Sequence, residues 1–484
     1  MTGTGTDTAT TPATSGFRLP LVLRNRRFGA VWAAQVLTQA AGRMFQVGAV
    51  WWLVGYAAGP DRGLASGAFL AVGTLPAVAL APLVARVIAR CPHRTVLGVS
   101  AATAGLIALG TAAWTYTTAL PMAVAYGAAL LLAGCQAVFD PCLTTSVPEL
   151  VEDADIEAAT GFELGTQSLA GLAGGLLGPL VVDAAGLAGI VAGCAGAYLL
   201  AAALIGATRF PAVPADAANT AGPANTADPA NTADPAADGG EPAATRPLRR
   251  ILAELPFVRR VLLCFAAANL FTTAVFVVMP LFTRAVLHAD GSTVAALEAA
   301  LGAGTLVGSF TGGRLPGAPT VVGAGCLGLL AAALALPGLL GSQAAAVVSM
   351  AVAGWCVGVI GVRFVALFQR LVPAGDRAGF FAVMQALLGA TFPVSSLVFG
   401  LLGDHLSPRT LCLVQALGVL PVAAALWWTG RREPANPDPV AAPQGHPSPP
   451  EHPQRPSEQQ HPSVQRHPSD QHPAPAAHPS GDAR

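Results

Sequence analysis

Apolar residues in this chain come in long runs rather than in alternation. Stretches of about 20 mostly apolar residues, enough for an α-helix to cross the hydrocarbon of a bilayer, recur twelve times. The first six are Phe28–Tyr56, Leu64–Ala89, Val96–Tyr116, Leu120–Phe139, Ile156–Val182 and Leu187–Ala207. The second six are Val261–Val286, Thr293–Gly312, Thr320–Gly341, Ala344–Phe368, Ala378–Gly403 and Leu411–Gly430. The pattern predicts an all-α integral membrane protein of twelve transmembrane helices. Gly and Ala are frequent inside the runs, as close helix packing requires where lipid gives no hydrophobic drive between helices.

Three polar segments interrupt or flank this pattern. Residues 1–16 are Thr-rich, with no basic stretch before an apolar core, and read as a disordered leader rather than a signal peptide. Residues 208–248 separate the sixth and seventh runs and contain the hexapeptides Ala218–Pro223, Ala224–Pro229 and Ala230–Pro235, which can bury no core and read as a flexible linker. Residues 431–484 carry His-Pro six times and read as a disordered tail. What remains is a six-helix bundle over 17–207 and another over 249–430. Their ends echo each other: Leu23-Arg-Asn-Arg-Arg27 leads into the first run and Leu255-Pro-Phe-Val-Arg-Arg260 into the seventh. Two six-helix repeats joined by a long loop suit an alternating-access carrier with its site between the repeats.

Composition narrows the function classes. The chain is 53% hydrophobic and 11% charged, with a mean hydropathy of +0.57, whereas soluble domains carry roughly 25% charged residues. The 26 basic residues balance 26 acidic ones, which gives no net field for nucleic acid. All the basic residues are Arg, so Schiff-base and P-loop lysine chemistry are excluded. The eight cysteines form no C-x-x-C pair, and His93, His288 and His405 stand apart outside the tail. No metal centre, cofactor or catalytic cluster is expected, and the chain does not read as an enzyme.

With the N-terminus inside, eighteen Arg residues fall on the inner side, among them Arg24, Arg86, Arg90, Arg94, Arg260, Arg370 and Arg432. Arg62, Arg284 and Arg409 fall on the outer side. The bias predicts a cell-membrane protein with both termini cytoplasmic.

Several segments carry a resemblance. Arg24-Asn-Arg-Arg-Phe28 with Gln35 to Gly42, Phe139-Asp-Pro141, Val147-Pro-Glu-Leu-Val151, Ala158-Ala-Thr160, Gly174-Gly-Leu-Leu-Gly-Pro179 and Gln369-Arg-Leu-Val-Pro373 resemble the major facilitator superfamily. The branch they are most similar to is that of proton-driven exporters of macrolides, other drugs and siderophores. The resemblance places Phe139-Asp-Pro141 in the connection between the fourth and fifth helices, and it implies a small-molecule cargo, proton coupling and function as a monomer. Two departures stand out. The superfamily's loop between helices two and three reads roughly G-x-x-x-D-R-x-x-R-R, and the corresponding Ala85–Arg94 replaces the glycine and the acid with Ala85 and Ala89. That leaves Arg90 and Arg94 as the remnant of a gating loop. Where the branch often has Gly-Asp in its first helix, this chain has Gly42-Arg43.

Polar side chains inside the bilayer are costly and so invite functional readings. Gln35, Gln39, Arg43 and Gln46 share one face of the first span, and they suit either a substrate-binding wall or a network locking helices together. Thr160, Glu163, Gln167 and Gly171 form a similar stripe on the fifth span. Glu163 is the embedded carboxylate for proton coupling, either paired with Arg43 as a switch or capping locally near the interface. Asn269, Thr272 and Phe276 are candidates for the second-half wall with Gln385 opposite, and Arg363 could bind an anion or snorkel. Asp140 reads as structural at a helix end, and Asp183 and Glu298 as solvated near the outer face. The function expected is export of small amphipathic molecules by alternating access. An uptake permease for a polar or anionic metabolite, or a non-transporting scaffold or receptor, are the alternatives.

Overall fold

The computed structural model describes residues 21–57, 59, 61–151, 155–208, 255–373 and 377–432. The leader, nearly all of the linker and nearly all of the tail anticipated from sequence therefore lie outside the described residues, as do the side chains of Thr160, Glu163 and Gln167.

A short helix α1 (Leu21–Arg24) leads into α2 (Arg26–Trp52), whose start is capped by the Asn25 side chain accepting from the amides of Arg27 and Phe28. The second span is bent by 41°. It consists of α3 (Arg62–Ala79), with Pro76 inside, and α4 (Ala81–Arg90), with a proline in its first turn, where the missing N–H costs nothing. α5 (His93–Thr117) and α6 (Met122–Leu150) follow.

The fifth and sixth runs form one continuous element, α7 (Ile156–Ala207), interrupted by non-helical Gly186 at φ 66° and ψ −171°. Only glycine adopts that conformation without strain. The two arms fold back on each other: Gly174 and Gly193, on opposite sides of the break, both lie against Met44.

In the second half, α8 (Pro256–Thr272) and α9 (Val275–Phe282) make one broken span. They are followed by α10 (Gly291–Gly312), α11 (Pro319–Leu340), α12 (Gln343–Leu371), α13 (Arg377–His405) and α14 (Pro408–Arg432). Among the described residues nine helices are long and apolar enough to cross a membrane, or ten with the bent pair as one span. Counting the two arms of α7 separately and adding α2, whose glutamines and arginine lower its hydropathy, gives the twelve spans expected.

One boundary differs from expectation. α6 runs through to Leu150, so Asp140 and Pro141 lie inside a helix and not in a turn or connection. An apolar run underestimates a helix whose last turns are polar.

Small residues set the packing. Gly304 and Gly308 of α10 lie against the backbone of Ala351 and Trp355, while Gly354 and Gly358 of α12 lie against Leu301 and Thr305. A Cβ at any of the four would strike a neighbouring main chain.

The ends of the molecule differ. We call the end where the chain passes into α2 the near face, and the other the far face. The first-half core at the near face is built of first-half residues such as Phe28, Leu97, Phe139 and Ile205. At the far face the first-half core takes in Val277, Leu281 and Val294 of the second half. The halves are fused at one end.

Candidate functional site

The fused end is held by two helix caps that cross between halves. Asp404, at the end of α13, accepts from the amides of Gly63 (2.7 Å) and Leu64 (2.9 Å) in the first turn of α3. Asp183, on the first arm of α7, accepts from the amide of Gly291 (2.5 Å), the first residue of α10. It also accepts from the Trp51 indole (2.7 Å) and the Tyr56 hydroxyl (3.1 Å), and Arg284 lies over both rings. The first arm of α7 and α13 thus each end in a carboxylate on the start of α10 or α3 of the other half. Such amides have no partner within their own helix and carry the positive end of its dipole. Each fold repeat supplies one cap and receives one.

Deeper in, a further contact joins the halves. The Arg43 guanidinium on α2 donates to Glu298 Oε2 on α10 (3.3 Å) and to Gln46 Oε1 (2.8 Å), and lies 4.9 Å from the Phe276 ring centroid. The Arg43 and Glu298 side chains are 24% and 17% exposed. The two meet across α7 because Gly174 and Gly175 leave room. A Cβ at Gly174 would come within 2.6 Å of the Arg43 Cβ, and one at Gly175 within 3.1 Å of Glu298 Oε2. Arg43, Leu172, Phe276, Glu298, Leu301, Thr305 and Leu306 line a cavity of about 390 Å³ between the halves.

This corrects the expectation that Glu298 is solvated near the outer face. The sequence shows a carboxylate seven residues into α10, but not which helix packs there. The Glu163 side chain lies outside the described residues, and its position is eleven residues from Gly174, or about 16 Å along the helix.

A second cavity, of about 260 Å³, lies within the first half and is lined by Gly42, Phe45, Gln46, Phe69, Gln136, Asp140 and Tyr198 among others. Asp140 accepts from Gln136 Nε2 (2.5 Å) and Gln39 Nε2 (3.3 Å). Reading it as a helix-end residue missed its place in this wall. Gln136, one turn before it, is the signal that could have found it.

The remaining candidates scatter. Gln35 is buried. Asn269 donates to the Leu388 carbonyl (3.0 Å) and the Thr391 hydroxyl (2.6 Å), which ties α8 to α13. With Thr272 it also lines a groove of about 160 Å³ within the second half. Gln385 is exposed on α13. Arg363 donates Nε to the Gly312 carbonyl at the end of α10 (2.8 Å), a C-terminal cap. Arg90 is exposed, and Arg94 donates to the Gly206 carbonyl, within the first half. Among the described residues no cluster of His, Cys, Asp and Glu could hold a metal ion.

The sequence model of the major facilitator superfamily matches residues 31–362, more than half of the chain. The chain belongs to the major facilitator superfamily. Solved transporters share this superfamily fold at low identity. A bacterial homolog of the human lysosomal transporter Spinster, inward-facing and unoccupied, aligns with a TM-score of 0.64 at 12% identity, over 84% of this chain and 97% of that one. An auto-inhibited POT family peptide transporter aligns at 0.61 and 13%, over 84% and 97%. A point mutant of the nucleoside transporter NupG aligns at 0.59 and 12%, over 83% and 99%. No curated protein matches the sequence. Superfamily membership and the apolar helices make this a multi-pass membrane transporter, and superfamily members bind small-molecule substrates.

Proposed function

We propose that this superfamily member is a proton-coupled exporter of small amphipathic molecules that works as a monomer in the cell membrane, with both termini in the cytoplasm. The observation that carries the reading is a largely apolar cavity between halves that are joined at the far face. Among the described residues thirteen Arg positions lie toward the near face, against Arg62, Arg284 and Arg409 toward the far face, which supports a cytoplasmic near face. Cargo then loads from the cytoplasm in the conformation described, and opening the far face releases it outward. Cavities of a few hundred Å³ with mostly apolar walls and a few placed polar groups suit drug-like ligands.

Proton coupling needs a carboxylate that changes its surroundings during the cycle. Glu163 is one candidate, and Asp140, in the wall of the first-half cavity, is the second. The test is accumulation of amphipathic antibiotics and dyes in a pump-deficient bacterial host, with and without protonophore, for wild type, Glu163→Gln and Asp140→Asn. Accumulation lowered by wild type, restored by protonophore and restored by one of the variants supports the reading and names the coupling residue. Wild-type protein that inserts well and moves no compound would sink it. A second reading, uptake of an anionic metabolite, draws support from Arg43, and gradient-driven entry of anions would favour it.

A further inference from the structure

We propose that Arg43 is the cargo-binding residue for an anionic group, and that Glu298 occupies that position until the cargo arrives. The inference rests on the transporter reading and names the class of its cargo: a carboxylate, sulfonate or phosphate on an apolar body.

The geometry of the pair supports exchange. Arginine's five N–H donors can engage a carboxylate through two parallel bonds. Here one nitrogen reaches Glu298 at 3.3 Å while Nη1 turns to the neutral Gln46 at 2.8 Å. The Arg–Glu contact is thus single and long, and an incoming anion can form the paired contact that Glu298 does not. Both side chains are partly open to the cavity, so the exchange needs no prior unfolding of the wall.

The same geometry assigns the site to Arg43 rather than to Glu298. Cutting the tie leaves Arg43 with Gln46 and with the face of Phe276, which attracts a cation. Among the described residues Glu298 has Arg43 as its polar partner. It therefore loses its contact and turns to the water that the parting halves admit. Leu172, Leu301 and Leu306 offer apolar surface for the body of the cargo.

The exchange has a mechanical consequence. Arg43 and Glu298 belong to different halves, and an uncompensated, largely buried charge is costly. The halves therefore resist separating while the pair is intact. An anion on Arg43 removes that resistance, so cargo from the near face itself releases the far face.

The test is equilibrium binding to the full-length protein in detergent, with radiolabelled naphthalene sulfonate and its opposite-charge counterpart, trimethylnaphthylammonium. Wild type is expected to bind the sulfonate in preference to the ammonium. Arg43→Gln should weaken sulfonate binding by about tenfold or more, as loss of a hydrogen bond to a charged group does, with Arg43→Lys intermediate. Glu298→Gln removes the internal competitor and should tighten it. Sulfonate binding weakened by Glu298→Gln, or preferential binding of the ammonium, overturns the proposal. If Arg43→Gln does not fold, Arg43→Lys and Glu298→Gln decide. Failure of the transporter reading looks different: sulfonate binds as expected, yet no compound crosses reconstituted vesicles under any gradient. Flux of uncharged cargo without sulfonate binding leaves the transporter and removes the anion site.

Discussion

Removing the Asp404 carboxylate should open the far face. Both of its described hydrogen bonds, to the amides of Gly63 and Leu64, cross from one half to the other, so the whole loss falls on the fused state. An N-terminal cap contributes about 1 kcal/mol, within a range of roughly 0.5–2 kcal/mol, and the charge at the helix dipole adds about 0.3–1 kcal/mol. Asp404→Ala should therefore shift the balance by roughly 1.5–2 kcal/mol, or about 10- to 30-fold. Asp183→Ala should do less per bond lost. Of its three contacts only the one from Gly291 crosses, while those from Trp51 and Tyr56 stay within the first half and are lost in both states. The two caps sit on separate interfaces, so the effects should add. The assay is spin-label distance measurement between Tyr116→Cys and Leu339→Cys, both exposed near the far ends of α5 and α11, in a cysteine-depleted background. A longer distance should appear in Asp404→Ala and dominate in the double variant. A double variant that unfolds at the wild-type temperature and keeps the wild-type distance distribution would refute the assignment of the caps as the far-face clasp.

Three further outcomes are expected. Gly174→Ala places a methyl against the Arg43 side chain and the Met44 amide, and should lower thermal stability in detergent by about 1–3 kcal/mol through overpacking. Asn269→Ala removes both ties from α8 to α13 and should cost about 1–3 kcal/mol, read in the same melt, with flux of residual folded protein retained. Deleting residues 215–240, within the repeat-bearing linker, should leave flux in vesicles unchanged; loss of flux in properly inserted protein would contradict the spacer reading.

The sequence by itself determined the architecture, because each span must satisfy its own backbone hydrogen bonds in hydrocarbon and so must be written as a long apolar run. That is why twelve spans, the echo between halves and the superfamily resemblance could be read without coordinates. The polar face of α2 was legible for the same reason, since Gln39, Arg43 and Gln46 stand out against an apolar background. Partners were not legible. That Arg43 meets Glu298 depends on which helices touch across the halves, and Gly174 and Gly175, whose missing side chains leave room, let α2 and α10 meet over α7. Asp140 illustrates the opposite error: its Pro141 neighbour suggested an ending, while the packing of α6 carried the helix on and put the carboxylate in a cavity wall. In the sequence Asp183 reads as a solvated acid and Asp404 carries no signal, and only the tertiary structure sets both on helix starts in the opposite half. Local periodicity fixes what a span is made of, whereas contacts between residues hundreds of positions apart depend on how the halves dock.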